Sequence, residues 1–237
     1  MLRSLVILCL FLSFIYANTL FEPYETTLID VTQGSATIKD SDNIVIGSSG
    51  IVIHRFDDEK NTIIARASVV EKKDGVAKVR FEVFDLLEQP ALPLPGVMPE
   101  KGDKIILNFL YSRALIVAPN QVVYKEIVEH FNETTWIHPD IIGAKLAIDY
   151  RPNPDREDFK EVCKENSAGI VFFALNKKGY VVDCQSFKIL KTFNSGNIAE
   201  YELPFYTRVE GIKTVFWKWN SSYITDYNRH YGNLMVP

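Results

Sequence analysis

The sequence predicts an α+β protein: a small antiparallel β-barrel or sandwich first, then an α+β half built of short helices and a β-hairpin. Three observations carry that prediction. Apolar residues recur at every second position in runs between Tyr24 and Phe109, the spacing turns helical after Arg113, and 47% apolar content over 237 residues suffices for a substantial core. The expected organisation is a signal segment over residues 1–17, an antiparallel β domain over 18–112 and an α+β domain over 113–237.

The opening "MLRSLVILCLFLSFIYAN" has one positive charge at Arg3, an apolar run from Leu5 to Tyr16 and a small residue at Ala17. A run of roughly 12 residues is too short to span a bilayer comfortably, so it reads as a cleavable secretory signal, with an uncleaved anchor as the alternative. Cys9 follows the large Leu8, which argues against lipid attachment there. With no other run of transmembrane length, the mature chain is expected to be soluble and exported, and either surface or outer-membrane associated or periplasmic.

The β half follows from period-2 patterning. "TIIARASVV" places Ile63, Ala65, Ala67 and Val69 on one face, and "VAKVRFEVF" does the same with Ala77, Val79, Phe81 and Val83. Asp74-Gly75 between them supplies hairpin-turn chemistry. "TLIDV" and "SATIKD" flank Gln33-Gly34 as a second hairpin, and "GIVIHRF" starts a strand after Gly47 and Gly50. Pro90, Pro93, Pro95 and Pro99 then impose a stiff, extended loop, because proline lacks a donor and restricts its neighbours. "DKIILNFLY" resumes as a strand whose mostly apolar run predicts burial on both sides.

In the second half, "APNQVVYKEIVEHF" spaces Val122, Val123, Ile127 and Phe131 for a helix. "HPDIIGAKLAI" and "NPDREDFKEVCKEN" each carry Pro-Asp, read as proline at the first helical position with an acid near the positive helix end. Three short helices are expected. "GIVFFAL" and "GYVVDC" form a hairpin around Asn176 to Gly179, and "YELPFYTRV" and "TVFWKWN" read as further strands.

Function classes fall away on composition. The net charge of -4 is spread without a basic run, which excludes the phosphate-neutralising stripe of a nucleic-acid binder. His54, His130, His138 and His230 show no HxH or HxxxH spacing, so no metal site is expected, and His138 before Pro139-Asp140 reads as a helix cap. "GSSG" and "NSGN" lack the lysine and helix of a phosphate loop, and no GxSxG elbow occurs. Asp57-Asp58 and Glu157-Asp158 are adjacent carboxylates that read as solvated. The chain is read as non-enzymatic, without a cofactor or small-molecule substrate.

Export leaves Cys163 and Cys184 where disulfides persist, and their closure of a loop of about 20 residues would stabilise by about 3 kcal/mol. Two buried free thiols, or a redox or nucleophilic role, are the alternatives. Trp217 and Trp219 share one face of a strand, either covering the core or forming an exposed platform for a glycan or partner together with Phe216, Tyr223, Tyr227 and Tyr231. Arg156, Lys160 and Lys164 lie four apart beside Glu157, Glu161 and Glu165. That pattern is either a solvated helix face or a set of ammonium groups beside carboxylates that imitate a C-terminal lysine.

The segments "GSSGIVIHRF", "FDLLEQPALPLP", "KGDKIILNFLYSRALIVAPN", "WIHPD" and "YVVDCQSFKIL" together resemble the N-terminal domain of the PgbA-type plasminogen-binding surface proteins of Gram-negative bacteria. The resemblance runs from about Leu20 to about Val236. It implies surface display and capture of host plasminogen, a virulence-related host interaction, through lysines recognised by kringle domains. Candidate lysines are Lys160 and Lys164 on the helix and Lys177 and Lys178 on the hairpin turn; a Cys163–Cys184 bond would draw the two pairs toward one patch. Longer family members carry a charged C-terminal extension, whereas this sequence stops at Pro237 without a terminal lysine, so internal lysines are expected to act. The alternative is a periplasmic or envelope scaffold for which plasminogen binding is incidental.

Overall fold

A computed structural model describes residues 20–57, 59–84, 96–215 and 222–236. Seven strands form the first sheet: β1 (Tyr24–Thr27), β2 (Asp30–Thr32), β3 (Ser35–Lys39), β4 (Ser49–Arg55), β5 (Asn61–Lys73), β6 (Val76–Glu82) and β7 (Lys104–Leu107). Their order is β1-β7-β4-β5-β6-β3-β2, antiparallel throughout. Both predicted hairpins are present. Asp74 and Gly75 adopt positive φ angles of 52° and 78°, as a tight turn matching strand twist requires.

Register shifts at Val52/Ile53 and Val69/Glu71 bend the long strands, and the sheet curls into a half-barrel. The predicted alternation puts Ala65, Ala67, Val69, Ala77 and Val79 in its core with Ile38, Val52, Ile105 and Leu107. Two expectations are corrected. Val83 lies beyond the end of β6 and is exposed, and β7 alternates, with Ile105 and Leu107 buried but Ile106 only half-buried. An antiparallel sheet keeps its second face near water, so burial on both sides does not follow from the apolar run. Pro90, Pro93 and Pro95 fall outside the described residues.

The second sheet contains β8 (Arg113–Val117), β9 (Thr135–Ile137), β10 (Ile170–Leu175), β11 (Lys178–Asp183) and β12 (Ile189–Asn194), ordered β12-β11-β10-β8-β9. β9, β8 and β10 run parallel, while β10–β11–β12 is an antiparallel meander. Helix α1 (Gln121–His130) links β8 to β9, and α2 (Pro139–Ile148) with α3 (Arg156–Glu165) link β9 to β10. The chain moves from β8 to one side with β9 and to the other with β10. Crossovers of a single hand therefore place α1 on one face and α2 and α3 on the other.

The core clusters agree with that arrangement. Phe159 of α3 and Ile142 and Leu146 of α2 pack with Val171 and Phe173, whereas Val123 and Ile127 of α1 pack with Phe172 and Ala174. "YELPFYTRV" is not a strand but an irregular strap, with Leu203-Pro204 in the cis form. Most of "TVFWKWN" lies outside the described residues. The strap crosses α2 where Gly143 is required, since a Cβ there would sit 2.6 Å from Thr207 Oγ1.

A fourth helix, α4 (Tyr227–Leu234), adds to the three expected, and it buries Tyr227 and Tyr231 against the Phe159–Phe173 face. Its N-cap Asp226 accepts from Arg229 N at 2.9 Å, a signal present in "TDYNRHYG".

Buried polar groups join the two sheets. Ser49 Oγ and Tyr111 Oη donate to Asp183 Oδ2 at 2.5 and 2.6 Å, and the Gln185 and Ser186 amides donate to its Oδ1. Burial pushes the Asp183 carboxyl above its ordinary range, and the hydrogen bonds from Ser49, Tyr111 and Ser186 oppose the shift.

Candidate partner-binding surface

Helix α3 is started by a capping box, but Pro154 precedes the cap instead of occupying the first turn. Asp155 is the N-cap, accepting from the Glu157 and Asp158 amides at 2.9 and 3.2 Å, while Asp158 accepts from the Asp155 amide. Arg151 binds both carboxylates. Burial pushes the Asp158 carboxyl up; at Asp155 the same cost is outweighed by the Arg151 guanidinium, which holds its carboxyl below the usual range. The buried face is Phe159, Val162 and Cys163.

The charged stripe on α3 is largely occupied with holding the fold. Arg156 donates to Leu234 O at 2.6 Å and to Val236 O, and lies over the Phe187 ring, tying α3 to the end of α4. Lys160 is half-buried and paired with Glu157 at 2.8 Å. Glu161 pairs with Lys145 of α2 at 2.8 Å, and Lys164 is half-buried. The stripe is thus mainly a structural face.

Cys163 and Cys184 are bonded, fastening α3 to the end of β11. The hairpin turn lies at the other end of that strand. At about 3.3 Å per residue, Lys178 stands roughly 20 Å along β11 from Cys184. The bond thus anchors α3 at the end of β11 away from the turn that carries Lys177 and Lys178.

The turn itself is firmly pinned. Lys177, with φ 66°, donates its amide to Gly196 O, and its carbonyl accepts from Ser195 N at 2.9 Å. Asn176 donates its amide to Asn228 Oδ1 and accepts at Oδ1 from Ile198 N. The backbone is held on three sides while the Lys177 and Lys178 side chains are exposed, and no carboxylate among the described residues pairs with either.

Beside the turn lies an open cleft of about 360 Å³ between α1 and the sheet. Val123, Ile127, Phe131, Phe172 and Phe193 line it, and Gly196 and Ile198, whose backbones hold the turn, form one wall. Although α1 has an apolar stripe, none of its residues is fully buried, so this helix stands off the sheet. The apolar spacing marks the helix but not how deeply it packs.

The aromatic cluster divides. Tyr227 and Tyr231 are core residues, Tyr223 is exposed, and Phe216, Trp217 and Trp219 lie outside the described residues. His138 caps α2 as expected, accepting from the Asp140 amide at 3.2 Å. The expectation of no metal ligation, drawn from histidine spacing, missed one grouping: His54 meets Glu100 and Asp103, which lie more than forty residues further along the chain. Local spacing carries no signal for such a pair.

Two joined sheets, with a lysine-bearing, rigidly held turn beside an apolar cleft, make up an α+β fold. The family model for the plasminogen-binding protein pgbA N-terminal region matches residues 23–235, and the chain belongs to that family. Two proteins named plasminogen-binding protein PgbA, from Helicobacter pylori strains J99 and 26695, are each 25% identical to it over 173 residues. That match covers 72% of this chain and 37% of each relative, so the chain spans well under half the length of the curated relatives it matches.

Proposed function

We propose that this protein is an exported, non-enzymatic binding protein that captures host plasminogen through internal lysines, with Lys177 and Lys178 as its principal contacts. The observation that carries this reading is the family match over residues 23–235, together with two relatives named for plasminogen binding. The geometry favours the turn pair over the helix pair. An exposed ammonium on a pinned turn loses little backbone freedom on binding, whereas Lys160 must first leave Glu157. The cleft beside the turn offers apolar surface that a partner can bury around the charged contact.

Surface plasmon resonance against plasminogen, with and without a soluble lysine analogue, tests the mechanism. The expected result is analogue-sensitive binding that falls at least tenfold in Lys177→Ala/Lys178→Ala and only a few-fold in Lys160→Ala/Lys164→Ala. Binding indifferent to both the analogue and all four substitutions would sink it. Surface proteolysis of intact cells tests the export reading: accessibility without outer-membrane lysis is expected, and protection until lysis would favour a periplasmic scaffold.

A further inference from the structure

We propose that His54, Asp103 and Glu100 form a binding site for a divalent transition-metal ion of the zinc class. His54 lies on β4, and the two acids flank the turn that leads into β7, so only the β4–β7 pairing brings the three together. His54 Nδ1 stands 2.8 Å from Asp103 Oδ1 and 3.8 Å from Glu100 Oε1. All three donor atoms fall within 4.8 Å of one another.

These separations bracket what a metal needs. Ligand distances of about 2.0–2.2 Å put tetrahedral donors roughly 3.3–3.5 Å apart. The His54–Asp103 pair has to open by about half an ångström, and Glu100 has to close by about half an ångström toward His54 and by up to about 1.3 Å toward Asp103. Glu100 can do so, since its side chain is 68% exposed, while those of His54 and Asp103 are only 13% and 6% exposed. Two donors are thus held in place and the third acts as a closing arm.

The outer contacts are those of a prepared ligand set. The second oxygen of Asp103 accepts from the Glu100 amide at 2.8 Å, which aims Oδ1 at the imidazole. The Asp103 amide returns a bond to Glu100 O, and Leu28 fastens the turn from the other side, donating to Asp103 O and accepting from Gly102 N. One neutral imidazole with two carboxylates balances a divalent charge. An imidazole donor suits zinc and its neighbours better than calcium or magnesium, which take oxygen ligands. Three protein donors leave a fourth position open to water or to a donor from a partner.

Calorimetric titration of the untagged, chelator-treated chain with zinc chloride tests this, with cobalt substitution reading the coordination geometry from its visible spectrum. One ion per chain is expected, with affinity reduced at least tenfold by His54→Ala and by Glu100→Lys, and unchanged by His130→Ala on α1. Glu100 is exposed enough that its substitution leaves the fold intact, so it decides the matter even if His54→Ala does not fold. Zinc should also raise the Tm of the parent chain and not that of Glu100→Lys. The absence of saturable binding, or binding that survives Glu100→Lys unchanged, would overturn the site and leave His54–Asp103 as a plain hydrogen bond.

Discussion

The two sheets solve the same burial problem with opposite side chains. Among the described residues, four of the twelve buried in the half-barrel core are alanines, Ala36, Ala65, Ala67 and Ala77, and the aromatics that pack against it, Tyr24 and Phe81, are only partly buried. The core between the second sheet and helices α2 to α4 instead holds Phe159, Phe173, Phe187, Phe205, Tyr227 and Tyr231, and a disulfide besides. Geometry explains the difference. A sheet that curls on itself narrows the space over its concave face and favours small side chains there, whereas the wider gap between a sheet and a layer of helices is filled by large ones. The first core is sensitive to added volume, and the second to lost volume.

That contrast can be broken from either side. The largest effect is expected from Phe173→Ala, which empties the centre of the aromatic cluster and should cost about 3–5 kcal/mol in urea unfolding. Replacing both Cys163 and Cys184 with alanine should cost about 3 kcal/mol, by releasing the loop they close, and should leave the half-barrel intact by circular dichroism. Ala67→Leu should cost about 1–3 kcal/mol by overfilling the first core, although it adds apolar surface. A neutral or stabilising Ala67→Leu would show that the half-barrel has spare room, and the contrast would fail.

The smallest effect sharpens the comparison through pH. Burial pushes the Asp140 carboxyl up, but the Arg208 amide and guanidinium, the Thr207 hydroxyl and His138 together outweigh it and hold it at about 2. Because this folded value lies below the ordinary carboxylate value, the stability it contributes is present above about pH 4 and is lost as pH falls toward 2. Asp140 anchors the strap to α2, so acid should loosen the second half first. Asp140→Asn should flatten the acid limb of a stability–pH profile measured by urea unfolding at fixed salt. An unchanged profile would mean that another carboxylate governs it.

Much of the fold was legible in short windows. The Asp74-Gly75 hairpin, the cap at His138 and the helix over "QVVYKEIVEHF" follow from turn chemistry, capping and period, each of which acts between residues a few positions apart. Where reading failed, two structures were locally equivalent. "YELPFYTRV" has strand composition but packs as a strap over α2, and the tyrosines of α4 have strand-like neighbours yet lie on a helix. Of the candidate site, the exposure of Lys177 and Lys178 was legible from their turn. The pairing of Lys160 with Glu157 was also within reach, being three residues apart on one helix.

By itself the sequence determined the two hairpins of the half-barrel, most of the core face of β5 and β6, the helices α1 to α3 and the kinship on which the binding role rests. Only the tertiary structure decided that β8 lies between β9 and β10, that α1 stands off its sheet and leaves a cleft, and that the disulfide sits far from the lysine turn. It alone brought His54 to Asp103. The reason is range: propensity, capping and periodicity are set by neighbours along the chain, whereas strand order and side-chain meeting points are set by which distant surfaces bury one another best.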